Sequence, residues 1–215
     1  MNDNIETFNT WNKIAALYQD KFMDLDIYNE TYDYICEAIN KHQGRILDVG
    51  CGPGNITRYL LTKRPDFQID GIDIAPNMIR LAAENNPGAH FSVMDSREIS
   101  GLNKKYDGIV CGFCLPYLSG EECQTFIEDA QQLLTDNGLI YLSFVAGNSS
   151  QSGYQTGSSG DRIYFYYHTR DAIAAMLKTN GFEEKRVFEV AYKRSDLKME
   201  VHTILVAERS RNHGS

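Results

Sequence analysis

ILDVGCGPGN, residues 46–55, decides the fold. Ile46, Leu47 and Val49 read as a short buried strand. Three glycines follow at once: Gly50, Gly52 and Gly54. Each forfeits side-chain packing and loses extra backbone entropy on folding, so the chain needs bare backbone at this point. A strand that turns sharply into a helix has that need, and so does a ligand lying against the turn.

Reading outward, the same alternation continues. Residues 56–62 form a helix stopped by Pro65, and 67–72 the next strand. A helix over 75–85 carries Pro76 in its first turn, where proline is tolerated. Strands follow at 89–94 and 106–111, then a helix at 121–134 closed by a turn at 135–138. The strand 139–145 comes next, then a helix at 171–179, capped by Thr169 and ended by Gly181. Strands at 186–192 and 202–208 have no helix between them, so they pair antiparallel. Strands alternating with helices predict an α/β, doubly wound, mostly parallel sheet covered on both faces.

Upstream, Ile14, Leu17, Tyr18, Tyr28, Tyr32, Ile35 and Ile39 repeat at helical spacing, with a break over 23–27. The expected organisation is a helical N-terminal cap over 1–43, a binding domain over 44–209 and a tail over 210–215. Residues 146–161, AGNSSQSGYQTGSSGD, interrupt the pattern. They are either a mobile insertion or a lid, since ligands of parallel sheets sit at strand carboxyl ends.

The composition of the 215 residues, 42% hydrophobic and 23% charged, allows a real core. A formal net charge of −8 disfavours a nucleic-acid partner. MNDNIETF has neither the basic nor the apolar part of a secretory signal, and no apolar run approaches membrane-spanning length. Five cysteines, Cys36, Cys51, Cys111, Cys114 and Cys123, are an odd number. They read as free thiols in a reducing, cytoplasmic compartment. Cys111 and Cys114 form a C-x-x-C without a second pair, so no metal is expected and small buried residues are the simpler account.

The spacing then speaks to chemistry. Asp73 stands about 20 residues beyond Gly50, at the end of the second strand, where a carboxylate can accept from a ribose diol. Asp95 ends the third strand, within reach of a purine edge. The glycines read G-x-G-x-G rather than the dinucleotide G-x-G-x-x-G, and no G-K-[ST] follows. A nucleoside pocket fits better than a pyrophosphate site.

LDVGCGPGN, GIDIAPNMI, HFSVMD and YDGIVCGF occur in that order with matching gaps. Over about residues 44–145 the chain resembles the class I S-adenosylmethionine-dependent methyltransferases. It is most similar to small-molecule enzymes of the ubiquinone/menaquinone-biosynthesis type. The resemblance implies a Rossmann-like seven-stranded sheet whose last strand is antiparallel. It implies that Gly50, Cys51, Gly52 and the backbone at Asn55 hold the methionine part of S-adenosylmethionine, with Asp48 ordering the turn from below. Asp73 would take the ribose hydroxyls, and Ile74 and Met78 would pack on adenine, though Met78 also suits an ordinary core position. Asp95 and Ser96 would meet the adenine edge. The Cys111 backbone would meet the methionine amino group, and Tyr18 would cap the methionine end.

The implied function is methyl transfer to a small-molecule acceptor, with S-adenosylhomocysteine as product. The rivals are an NAD-dependent oxidoreductase and a non-catalytic S-adenosylmethionine-binding regulatory protein. A base is needed only if the acceptor carries a proton at attack. On the acceptor side, relatives often carry a polar or His-His pair where Leu115-Pro116-Tyr117 stands here, so no histidine base transfers to that place. Tyr117 either bonds an acceptor or packs. In IYFYYHTRD, residues 163–171, an alternating strand would put Tyr164, Tyr166 and His168 on one face. His168 is the candidate base, its alternative being a structural hydrogen bond. His42, His90 and His202 receive no role.

Overall fold

The computed structural model describes residues 3–156, 160–194 and 197–210. Positions 157–159 of the Gly/Ser-rich stretch and 211–215 of the expected tail lie outside them.

Helices α1 (Asp3–Lys13), α2 (Ala15–Phe22) and α3 (Asn29–Ala38) open the chain. The break at 23–28 is where the sequence put it, and a further break at Ile14 divides the first helical stretch. Then come β1 (Arg45–Val49), α4 (Asn55–Lys63), β2 (Gln68–Asp73), α5 (Pro76–Asn85) and β3 (His90–Val93). A 3-10 turn over Ser96–Gly101 leads to β4 (Tyr106–Gly112), followed by α6 (Gly120–Leu133) and β5 (Leu134–Val145). The chain closes with β6 (Gly153–Thr156), β7 (Arg162–Phe165), α7 (Arg170–Thr179), β8 (Phe182–Lys193) and β9 (Met199–Arg209).

Seven strands form one sheet in the order β3-β2-β1-β4-β5-β9-β8. The pairs from β3 to β5 are parallel, and β9 runs antiparallel to both β5 and β8. Side chains alternate between faces, so both faces become cores. Leu47 and Val49 pack with Phe126, Ile127 and Leu177 on the side of α6 and α7. Ile46 packs with Ile35, Ile39 and Leu60 on the side of α3 and α4. Each such side chain, wholly withdrawn from water, contributes on the order of 1.5–3 kcal/mol.

Local chemistry sets the helix ends. Ser119 Oγ accepts from Glu122 N at 3.2 Å while Ser119 N donates to Glu122 Oε2 at 2.7 Å, a reciprocal cap for α6. Thr169 caps α7 through Ala172 N at 3.2 Å, and Gly181 ends it at φ +74°.

The turn expected at 135–138 falls within the range of β5 as an irregularity: the ladder with β4 passes from Leu134 opposite Tyr106 to Leu139 opposite Gly108, and Asn137 between them has φ +61°. The described residues of 146–161 are more ordered than a plain loop. They hold a 3-10 turn at Ser149–Gln151 and the strand β6, which pairs antiparallel with β7. That hairpin docks on α1. Thr7 Oγ1 accepts from Tyr164 N at 3.0 Å, Thr10 Oγ1 donates to Arg162 O at 2.8 Å, and Glu6 pairs with Arg162 at 2.8 Å.

Candidate functional site

β1 and β4 lie side by side at the point where the strand order reverses, and a crevice opens beyond their carboxyl ends. A cavity of about 300 Å³ occupies it. Its floor is the turn after β1. Gly50, Gly52 and Gly54 have φ of +65°, +53° and +82°, a region that costs other residues roughly 1–2 kcal/mol each. A Cβ on Gly54 would collide with Asn86 Nδ2. That amide donates to Gly54 O at 3.0 Å, and Asn85 Nδ2 donates to Pro53 O at 2.9 Å, so α5 holds the turn in place. From below, the wholly buried Asp48 accepts from Thr57 Oγ1 at 2.7 Å and so ties β1 to α4.

Asp73 ends β2 facing the cavity. Its Oδ2 accepts from Gly52 N at 3.0 Å and its Oδ1 from Ala75 N at 2.8 Å. Burial pushes its carboxyl up to about 6, against the opposing pull of those two amides. Cys51, Asn55, Ile74, Met78, Ser96 and Tyr18 also line the cavity. Asp95 does too, with its carboxylate already engaged by Arg97 Nη1 at 3.0 Å. Met78 is only 3% exposed and shares a small core with Ala15 and Ala75, so it serves packing as well. Above them, Trp11 meets Tyr18 and Tyr117 edge-on, each at 5.6 Å between ring centres. Burial raises the Tyr18 and Tyr117 hydroxyls above their ordinary value, so both are neutral donors.

Asp48, beneath the turn, does not itself line the cavity. Two further residues also stand outside it. Cys111 is wholly buried, and its backbone belongs to the ladder, opposite Val49 and Leu142. Gly112 and Phe113 reach the cavity instead. His168 is not part of the wall either. β7 ends at Phe165, but Tyr166 N still donates to Pro116 O at 2.7 Å and His168 bridges to Ala146, so the rings of Tyr164, Tyr166 and His168 follow one another at 4.7 and 6.5 Å between centres. His168 Nε2 sits 3.0 Å from Leu118 O and 3.2 Å from Leu115 O. Carbonyls only accept, so that nitrogen carries its proton and donates. The ring pins the segment after β4, and the base expected at His168 is withdrawn.

The sequence missed most of the other end of the cavity, where Tyr28, Tyr192, Glu200 and His202 converge beside Phe113. Phe113 adopts φ +55°, a strained conformation for an aromatic residue, fixed by its N–H donating to Ser143 O at 3.1 Å. Its ring lies 5.5 Å from Tyr28 and 4.8 Å from His202. The alternation Glu200-Val201-His202 does place the acid and the histidine on one face of a strand. Nothing local points from there to Tyr28.

Residues 46–138 match the model of the methyltransferase domain family. The matched segment is under half of the chain and carries the glycine turn, Asp73 and Asp95. A putative methyltransferase of Invertebrate iridescent virus 6 is 34% identical over 118 residues, 55% of this chain and 43% of the viral one. The malonyl-[acyl-carrier protein] O-methyltransferase of Acetivibrio thermocellus is 34% identical over 126 residues, 58% of this chain and 40% of that one. The match thus spans under half the length of either relative. Magnesium protoporphyrin IX methyltransferase from Synechocystis, solved with bound S-adenosylmethionine, superposes with a TM-score of 0.73 at 20% identity over 98% of both chains. That likeness concerns the fold. No helix among the described residues is long and apolar enough to cross a membrane.

Proposed function

We propose that this chain binds S-adenosylmethionine in the cavity and transfers its methyl group in line to a small-molecule acceptor, leaving S-adenosylhomocysteine. One observation carries the reading. The cavity is walled by aromatic rings, and among the described residues its charged lining is Asp73, Asp95 and Glu200 against Arg97. Aromatic faces with an excess of carboxylate suit a sulfonium cation and repel a pyrophosphate, which argues against a nicotinamide cofactor.

The residues fit that cofactor. Each Asp73 oxygen accepts one backbone N–H and keeps a lone pair for a ribose hydroxyl. The glycine turn presents backbone where a Cβ would intrude. The sulfonium supplies a methyl group already activated for displacement. The protein's part is alignment and the exclusion of water, and Trp11, Tyr18 and Tyr117 close the cavity from above. A volume of about 300 Å³ is at the small end for ligand sites and favours a small acceptor. In this reading α1–α3 and the β6–β7 hairpin together form the cap over the domain, and the protein works in the cytoplasm without a nucleic-acid partner.

Thermal unfolding tests the cofactor. S-adenosylhomocysteine at about a hundred times its Kd stabilises by roughly 2.7 kcal/mol, which for a chain of this length raises Tm by roughly 5–10 °C. NADH leaves Tm unmoved. No rise with S-adenosylhomocysteine overturns the reading. A screen of small-molecule pools with isotope-labelled methyl donor then separates an enzyme, which marks one species, from a binding protein, which marks none.

A further inference from the structure

The cavity end that carries Phe113 also holds three polar groups in a chain. Tyr28 precedes the first turn of α3, while Glu200 and His202 lie two apart on β9. Tyr28 Oη is 2.6 Å from His202 Nδ1, and His202 Nε2 is 3.3 Å from Glu200 Oε2. A carboxylate accepts, so Nε2 carries the proton and Nδ1 is the accepting nitrogen. The Tyr28 hydroxyl therefore donates to Nδ1 and keeps its own lone pairs for whatever shares the cavity. His202 is 6% exposed and packed between Tyr28, Tyr192 and Phe113, so this orientation is fixed.

We propose that Tyr28, His202 and Glu200 form a proton-accepting chain at the acceptor end of the cavity, and that the acceptor is a small, uncharged phenol. The proposal rests on the methyltransferase reading and names its substrate class. As the new O–C bond forms, the donor's S–C bond breaks and its electron pair stays on sulfur. The phenol O–H bond breaks, its proton passes to Tyr28 Oη, and the Tyr28 proton passes to His202 Nδ1. The imidazolium so formed sits against Glu200 and returns its proton to solvent after the methyl ether leaves.

The walls select the ring. Tyr192 stacks on His202 at 4.8 Å and 22°, and Phe113 meets it edge-on at 4.8 Å, which leaves flat apolar surfaces suited to an aromatic guest. An anionic acceptor would face Glu200 and Asp73. An ammonium acceptor would find Glu200 already engaged by His202 and by Arg194 Nη1 at 3.5 Å. The titratable groups around His202 are Tyr28, Glu200 and Tyr192. Arg194 lies beyond Glu200, Lys21 stands over the Tyr192 ring at 6.0 Å, and Tyr18 and Tyr141 flank Tyr28. Burial draws the imidazole pKa down, opposed by Glu200, so the ring is neutral and able to accept at neutral pH. Turnover falls as pH drops through that lowered value.

The probe is 4-nitrophenol, whose anion alone is yellow, titrated onto the full chain with and without S-adenosylhomocysteine. Bound dye should be at least tenfold more ionised than free dye in a mildly acidic buffer. His202→Ala and Tyr28→Phe should each abolish the excess, the second serving should the first fail to fold. Glu200→Gln should keep binding but move dye ionisation to higher pH. Dye that fails to bind, binds without added ionisation, or ionises equally in both variants overturns the chain. Displacement by benzylamine or benzoate at the concentration at which phenol displaces overturns the phenolic class. Calorimetry with S-adenosylhomocysteine on the same samples reports separately on the cofactor reading.

Discussion

Asp48 and Asp73 are neighbouring carboxyls with different tasks. Burial pushes each from an ordinary 3.8 up to about 6, and the charge on Asp73 adds to the effect at Asp48. A raised carboxyl pKa means that the folded state holds the proton more tightly. The resulting stability is present below the ordinary value and is lost as pH rises through about 6. Asp48→Asn removes that titration while an amide oxygen can still accept from Thr57. The stability of the variant relative to the parent should therefore rise by up to roughly 3 kcal/mol between about pH 4 and about pH 8, followed by urea unfolding of the apo protein. A flat difference would place Asp48 in a wetter setting than the fold suggests. Asp73→Ala should weaken S-adenosylhomocysteine binding roughly ten- to a hundredfold by calorimetry, since hydrogen bonds to a charged acceptor are lost. Unchanged affinity would contradict the ribose contact. Asp73 was legible because its place follows from a strand end a fixed distance from the glycines. His202 was not, because the hydroxyl that meets it lies 174 positions away.

Among the elements, β1 through β5 were legible to within a few residues, apart from the early start of β5. Their apolar runs and turn residues act over short distances. The 3-10 turn after β3, the extra break at Ile14 and the β6–β7 hairpin were not. The hairpin is stabilised from outside: α1 supplies Thr7 to its backbone N–H and Thr10 to its carbonyl, both threonines about 8% exposed. Without α1 those groups would turn to water and the stretch would read as the Gly/Ser loop its composition suggests. Thr7→Val with Thr10→Val should therefore loosen the cover alone. Amides of α1, β6 and β7 are expected to exchange with deuterium about tenfold faster, the effect of roughly 1.4 kcal/mol, while β1 and β4 keep their protection. Equal acceleration in the central strands would mean that the cover and the sheet unfold as one unit.

At the scale of the whole molecule, the strand order places β1 next to β4, and the crevice beyond their ends is a consequence of that topology. The sequence by itself determined the alternating elements, the mostly parallel sheet, the bare turn and the acid at the end of β2, because periodicity and turn chemistry are fixed by neighbours a few residues apart. Only the tertiary structure decided which groups meet at the far end of the cavity. It turned His168 toward carbonyls, carried the ladder one residue past Cys111, and brought α3 against β9 so that Tyr28 meets His202. Those meetings depend on packing between distant segments, where burial and shape choose the partners and no local pattern records them.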